Sequence, residues 1–176
     1  MNSRKAKGKY PIALGGILGA LTVVFIYIAS FVPGVELTMF AISSVFVAIM
    51  LIEAGPRASL LVFLVATIIG FIIIPNKIAI VPYLLIFGHY GIEKYYIEKL
   101  NNLALELILK GALFLIAFGI GYLLLGEVFF GNIELPNYPL PVLAVGGVVL
   151  FLIYDRVYSA MIMFYLNNVR HKIRNV

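Results

Sequence analysis

Long apolar runs recur along the chain and constrain its fold more than any other feature. The first extends from Ile12 to Val32, which matches the ~20 residues that a helix needs to cross a bilayer. Hydrophobic residues make up 63% of the sequence, more than a soluble domain of this size can bury. A membrane accommodates such runs as helices, because a helix satisfies its own backbone polar groups. The sequence therefore predicts an all-α, polytopic membrane protein.

Turn-forming residues divide the apolar runs into six predicted spans within one transmembrane domain, residues 1–176. The spans are Ile12–Val32, Leu37–Ile52, Ala58–Ile74, Ile78–Ile92, Leu103–Leu125 and Val142–Leu166. The second, third and fourth are at or below the usual lower limit of ~17 residues. Five spans plus a re-entrant hairpin is therefore an alternative to a six-helix transmembrane bundle.

Basic residues are distributed very unequally between the two predicted sides of the membrane. With the N-terminus in the cytoplasm, ten Lys and Arg residues lie on the inner side and only Lys77 on the outer side. The ten are Arg4, Lys5, Lys7, Lys9, Arg57, Lys94, Lys99, Arg170, Lys172 and Arg174. Cytoplasmic segments carry such an excess, so residues 1–10 and 167–176 are predicted to be basic cytoplasmic ends of a multi-pass cell-membrane protein. Topology and contact with membrane lipid account for the net charge of +5, so no nucleic-acid partner is expected.

Four charged residues interrupt the last two predicted spans. Glu106 and Lys110 lie one turn apart on the fifth span, and Asp155 and Arg156 are neighbours on the sixth. Charges inside a membrane are costly unless they are paired. We therefore expect Lys110 to pair with Asp155, or Glu106 with Arg156. This neutral set indicates either a structural clamp or a proton relay or coupling switch.

Small residues form a doubled stripe in the first span. Gly15 and Gly19 are four residues apart, as are Gly16 and Ala20, so the four lie along one part of the helix surface. Small-xxx-small patterns let another helix backbone approach closely. The stripe predicts either internal packing against a neighbouring span or a docking face for a partner.

Polar and aromatic residues gather on the predicted outer side and are the candidates for binding a small-molecule substrate. They are Glu36, Asn76, Lys77, Tyr83, Glu127, Phe130, Asn132, Glu134 and Tyr138. The loop from Gly126 to Pro141 is either a lid over an outward-facing pocket or a solvated loop resting on the membrane interface. Asn76 and Lys77 either hold an anionic group or cap a turn.

No catalytic chemistry, metal or cofactor is expected. The sequence has no cysteine and no phosphate-binding P-loop, and His89 has no second histidine near it. Four serines have no neighbouring base and are interpreted as interhelical hydrogen-bond donors. They are Ser43, Ser44, Ser59 and Ser159. The chain is therefore predicted not to be an enzyme.

In its length, span number and first-span stripe (Gly15, Gly16, Gly19 and Ala20), the chain resembles the substrate-binding S-component of energy-coupling-factor (ECF) transporters. The resemblance is one of architecture and covers essentially the whole chain, although the family's stripe is mainly alanine. It implies an outward-facing pocket for a small, vitamin-like nutrient. It also implies that the stripe docks on a transmembrane coupling subunit driven by cytoplasmic ATPases.

Two other resemblances keep a second function open. The segments Ile74–Lys77 and Glu93–Lys99 are similar to parts of uncharacterised six-span proteins of Gram-positive bacteria. Small six-span proteins that organise envelope synthesis, such as the rod-shape-determining membrane subunit, have a similar architecture. A non-transport scaffold of that kind would hold a partner with the same stripe and would have a filled bundle in place of a pocket.

Overall fold

Helices account for nearly all of the described chain. The structure, a computed structural model, describes residues 3–129 and 140–170. Within these ranges there is no β-strand, and six α-helices follow one another. They are α1 (Ser3–Phe31), α2 (Glu36–Ala54), α3 (Pro56–Ile73), α4 (Gly88–Glu98), α5 (Leu103–Phe129) and α6 (Leu140–Phe164). The predicted all-α class is confirmed.

Five helices are long and apolar enough to cross a membrane by length and composition: α1 from Pro11 onwards, α2, α3, α5 and α6. The basic stretch before Pro11 is also helical, because α1 begins at Ser3. α2 and α3 are longer than predicted, with 19 and 18 residues, because Glu36 and Pro56 already belong to their first turns. A carboxylate suits the positive end of a helix, and proline suits its first position.

The chain between α3 and α5 is helical from residue 77 to residue 98 but changes helix type along its length. A 3₁₀ turn covers Lys77–Ile80, a π-helical stretch covers Tyr83–Phe87, and α4 follows. We call residues 77–98 the fourth segment. A Cβ on Gly70 would meet Ile80, and a Cβ on Gly88 would meet Phe63, so this segment runs antiparallel to α3.

The best-packed part of the molecule surrounds α2. This helix contacts α1, α3, α4 and α6, and its Phe40 and Val47 are buried together with Tyr83 and Phe87 of the fourth segment. A second apolar cluster joins α4 to α6, where the Tyr90 and Tyr158 ring centroids are 5.3 Å apart. α5 lies at the edge, because 6% of its apolar stretch is buried compared with 39% in α2.

The long outer loop predicted from Gly126 to Pro141 is shorter in the structure. α5 continues to Phe129 and α6 begins at Leu140, so both ends of that predicted loop are helical. Gly126 suggested that the fifth helix ends at Leu125, but a glycine there does not end it. The remainder, residues 130–139, lies outside the described ranges.

Gly88 is expected to be required for the packing of the fourth segment on α3. A Cβ at this position would lie 2.7 Å from Phe63 Cδ2 and 2.8 Å from Tyr83 Cζ, and both rings are buried. Because neither ring has room to move, Gly88→Ala should destabilise the protein by about 1–3 kcal/mol. The measurement is the thermal unfolding midpoint of the purified protein in detergent. Gly111→Ala is the matched control, since nothing lies within 4 Å of a Cβ there; equal midpoints for the two variants would contradict the described packing.

Candidate functional site

Two lysines and two carboxylates meet where α4, α5 and α6 pack together. We call Lys94, Glu98, Lys110 and Asp155 the lysine–carboxylate cluster. Lys110 Nζ is 2.8 Å from Glu98 Oε1 and 3.1 Å from Asp155 Oδ2. Lys94 Nζ is 2.6 Å from Glu98 Oε1 and also donates a hydrogen bond to Asp155 Oδ1. The four formal charges sum to zero, which limits the cost of burying them among apolar helices.

Asp155 is the centre of the cluster. Its carboxylate accepts hydrogen bonds from Lys94, Lys110 and the Tyr90 hydroxyl, so donors reach it from both α4 and α5. Lys94, Lys110 and Asp155 are only 4%, 3% and 6% exposed. With this many donors the carboxylate is held at a single position, which suits a clamp between helices.

Glu98 lies at the end of α4, beyond the predicted fourth span, and is the most exposed member of the cluster. Partial burial acts to raise the pKa of its carboxyl group. Hydrogen bonds from Lys110 and Lys94, and their positive charges, outweigh that effect and hold the pKa below its ordinary value. Glu98 therefore stays ionised and supplies the second negative charge that the two lysines require.

The predicted pairing of Lys110 with Asp155 is confirmed, and the alternative pairing of Glu106 with Arg156 is wrong. Within the part of the chain that the structure describes, neither Glu106 nor Arg156 forms an ion pair. The reason is that Lys94, placed by the sequence in an inner loop, occupies the second cationic position. A signal for it was present, since Tyr90, Lys94 and Glu98 recur every four residues and therefore share one helix face.

Glu106 and Arg156 instead line a cleft between α5 and α6, with a volume of about 440 Å³. We call it the α5–α6 cleft. Its polar lining consists of Glu98, Glu106, Lys110, Asp155, Arg156 and Ser159. Its apolar lining consists of Leu103, Leu107, Val149, Leu152 and Ile153. One side of the cleft is therefore formed by three members of the lysine–carboxylate cluster, Glu98, Lys110 and Asp155.

Asn76 and Lys77 cap helices, which favours the second of their two predicted roles. Lys77 Nζ lies 2.8 Å from the Ile74 carbonyl oxygen and also donates to that of Phe71, at the C-terminal end of α3. Asn76 Oδ1 accepts a hydrogen bond from the Ile78 amide at 3.2 Å. Because both side chains satisfy backbone groups at helix ends, neither is directed at an anionic ligand.

Tyr83 is the predicted binding residue with the most unusual environment. Its side chain is 0% exposed, and its hydroxyl has no hydrogen-bond partner among the described residues. It begins the π-helical stretch, and its ring packs against Phe63 with centroids 5.9 Å apart. A buried hydroxyl without a partner costs about 1–3 kcal/mol, so its retention calls for an explanation.

The remaining predicted binding residues are not brought together by the described structure. Glu36 lies in the first turn of α2, and Glu127 lies in the helix α5 and not in a loop. The other four, Phe130, Asn132, Glu134 and Tyr138, lie outside the described residues. Their convergence on one outward-facing pocket stays a prediction.

The small-residue stripe of α1 is divided between two environments. Gly19 is buried and Gly15 half-buried, and Cβ atoms there would meet Val62 of α3 and, at Gly15, Met50 of α2. Gly16 and Ala20 are exposed on the outer surface of the bundle. Internal packing therefore accounts for one pair, and the other pair is left on an accessible face.

The serines are partly as predicted. Ser59 donates to the Val47 carbonyl of α2 and so links two helices as predicted. Ser44 donates to the Ala41 carbonyl of its own helix, which leaves its Oγ to accept from the Tyr154 hydroxyl of α6 at 2.9 Å. For Ser43 and Ser159 the prediction is wrong, because each donates to a carbonyl of its own helix. A serine hydroxyl reaches the carbonyl one turn earlier without any neighbouring helix.

Comparison of the chain with protein-family models, curated proteins and solved structures finds no match. The described structure defines a class of architecture and not a family. It is a helical chain with five helices fit to cross a membrane and a buried, charge-neutral cluster that ties its fourth segment to α5 and α6.

Asp155→Asn is expected to destabilise the protein strongly, because it leaves two buried lysines with Glu98 as their only carboxylate. Breaking a buried ion pair costs about 3–5 kcal/mol. The double variant Asp155→Asn/Lys110→Met restores neutrality and should recover part of that loss. The measurement is the melting temperature and monodisperse yield in detergent. Glu106→Gln, which breaks no ion pair, is the control; an Asp155→Asn protein as stable as this control would exclude a clamp.

Proposed function

We propose that this chain is a membrane-embedded substrate-binding subunit for uptake of a small, vitamin-like nutrient, energised by a partner. The observation that carries the proposal is the Tyr83 hydroxyl, which is buried in the apolar core without a hydrogen-bond partner. Natural proteins retain such groups chiefly where a ligand or a water satisfies them. The resemblance to ECF S-components motivates the choice of nutrient uptake as the function.

The surroundings of Tyr83 support a small ligand with an apolar body. Phe63 and Phe87 are buried beside it in the same core cluster, and both are aromatic. The hydroxyl supplies one donor and one acceptor position in otherwise apolar surroundings, a combination typical of small-molecule sites. The π-helical stretch that begins at Tyr83 adds support, because π-helical turns are frequent at functional sites.

The proposed topology has six crossings, with both chain ends in the cytoplasm of a cell-membrane protein. A π-helical stretch, Tyr165–Arg170, follows α6, and its Arg170 Nε lies 2.8 Å from Glu53 Oε1, so the chain just after α6 lies beside the turn between α2 and α3. Three crossings between these points would place them on opposite sides, whereas four place them together. The contact thus supports a fourth segment that crosses as well, and the excess of inner basic residues supports the orientation.

The proposed energy source is a transmembrane coupling subunit with cytoplasmic ATPases. The exposed half of the stripe, Gly16 and Ala20, supports a docking face on α1, because small residues allow close helix approach. In this proposal the chain binds its substrate alone but does not transport it alone. Energised uptake by the isolated chain in vesicles would contradict the partner's role.

A non-transport scaffold is the second candidate, and one observation favours it. The described core is densely filled by aromatic side chains, since Tyr90 and Tyr154 contact each other and each contacts the rings of Phe151 and Tyr158. A scaffold needs such rigidity and needs no pocket. The two candidates differ in whether Tyr83 contacts a ligand.

Tyr83→Phe distinguishes the two candidates, because it removes the unpaired hydroxyl without changing the ring. The melting temperature should rise for either function, since a desolvated polar group is lost. For a substrate-binding subunit, a screen of vitamins and nucleobases should find a compound that stabilises the unmodified chain. A compound at 100 times its Kd adds about 2.7 kcal/mol, and Tyr83→Phe should reduce that shift markedly.

The matched control is Tyr154→Phe, whose hydroxyl lies 2.9 Å from Ser44 Oγ and which should lose stability instead. A compound that stabilises Tyr83→Phe as strongly as the unmodified chain would contradict a role of this hydroxyl in binding. A screen in which no compound stabilises the unmodified chain would favour the scaffold.

Single cysteines at the two ends of the fourth segment should be labelled from opposite sides of the membrane. The sequence has no cysteine, so each added thiol is the only one present. Pro75 and Lys99 are both exposed. A membrane-impermeant maleimide applied to intact cells should label Pro75→Cys and should label Lys99→Cys only after permeabilisation. Labelling of both cysteines from the same side would show that the fourth segment is re-entrant.

A further inference from the structure

Arg156 is an exposed cation within the apolar length of α6, and the structure gives it no carboxylate partner among the described residues. Glu106, half-buried on α5, likewise lacks a cationic partner there. Lys110 does not neutralise Glu106, because Glu98 and Asp155 already engage its ammonium group. One cation and one anion are therefore without a charged partner among the described residues, and a ligand could neutralise both.

Both residues line the α5–α6 cleft, which faces the side of the bundle. Ile153 and Val157, on the same part of α6, are 55% and 53% exposed, and Leu103 and Leu107 of α5 are exposed too. In a membrane such an apolar surface faces lipid. The cleft is therefore reached from the lipid phase and has a polar side and an apolar side.

The depth of the cleft is that of a lipid headgroup. Glu106 is one turn from the start of α5 at Leu103, and the connection before it contains the exposed Asn101 and Asn102. This end of α5 thus marks a boundary between water and lipid. Arg156 faces the same cleft, and a long arginine side chain brings its charge towards such a boundary.

We propose that the α5–α6 cleft binds the headgroup of a zwitterionic phospholipid, with Arg156 on the phosphate and Glu106 on the ammonium. The guanidinium group presents paired donors to phosphate oxygens, and the carboxylate accepts hydrogen bonds from a primary ammonium. An acyl chain lies along Leu152 and Ile153 on the apolar side. An ethanolamine headgroup supplies both charges, whereas a purely anionic headgroup leaves Glu106 without a partner.

This site requires that the chain lies in a membrane but does not require transport. A second copy of the chain is the other possible source of complementary charge, with Glu106 of one copy meeting Arg156 of the next. The concave shape and the volume of about 440 Å³ favour a headgroup, because helix faces that pair with each other need no such recess.

The experiment measures lipid retention by native mass spectrometry. The full chain is reconstituted with equal amounts of phosphatidylethanolamine, phosphatidylcholine and phosphatidylglycerol of identical acyl chains. We expect phosphatidylethanolamine to be retained about tenfold over phosphatidylglycerol, as one charge-assisted hydrogen bond provides. Its preference over phosphatidylcholine should be smaller, since the latter keeps the positive charge but has no N–H donors. Equal retention of all three lipids overturns the proposal.

Two variants assign the roles. Glu106→Gln should abolish the preference for phosphatidylethanolamine over phosphatidylglycerol while keeping phospholipid bound, and Arg156→Gln should lower retention of all three lipids about tenfold. Arg156→Lys should recover part of that loss. Arg57→Gln is the matched control, since Arg57 is an exposed cation outside the cleft.

Two results with the variants would overturn the lipid site. Lipid retention by Arg156→Gln equal to that by Arg57→Gln overturns the site, as does a dimer that Arg156→Gln dissociates without changing lipid retention. The headgroup series on the unmodified chain needs no variant, so a variant that fails to fold leaves the test intact. Failure of the Tyr83 ligand screen would not affect these results.

Discussion

The arrangement of the last three helices depends on the neutralisation of Asp155. α5 is poorly buried by other helices, and among the described side chains Lys110 forms its ion pairs to α4 and α6. Asp155 accepts from Lys110 on one side and from Tyr90 and Lys94 on the other, so one carboxylate fixes α4, α5 and α6 relative to each other. In an apolar environment these hydrogen bonds are strong and directional, so few other arrangements of the three helices would satisfy the carboxylate.

The sequence predicted the helices well because apolar length is a local property. The boundaries of α2, α3 and the start of α5 agree to within a few residues with the predicted spans. It predicted half of the cluster, Lys110 with Asp155, because intramembrane charges must be paired. It missed Lys94 and Glu98 because the polar stretch after Ile92 predicts a loop, whereas in the structure this stretch belongs to α4, where Lys94 and Glu98 form ion pairs with Asp155 and Lys110.

The fourth segment shows why the rest could not be predicted. Its geometry changes from 3₁₀ before Pro82 to π after it and then to α. A hydropathy pattern shows where a chain is apolar but does not distinguish these helix types. Gly88 and Gly91 allow Phe63 and Tyr158 to approach the backbone, a requirement that appears only once the neighbouring helices are in place. The division of the α1 stripe between a packed and an exposed pair depends on helix rotation in the same way.

The fourth segment also joins the two places that matter for the proposed function. At one end Tyr83 is buried in the apolar core, and its hydroxyl has no partner among the described residues. At the other end Tyr90, Lys94 and Glu98 are held by hydrogen bonds and ion pairs. One helical stretch therefore carries an unpaired buried hydroxyl at one end and part of a neutral charge cluster at the other. A ligand that satisfied the Tyr83 hydroxyl would act on one end of this stretch, while the lysine–carboxylate cluster kept the other end registered against α5 and α6.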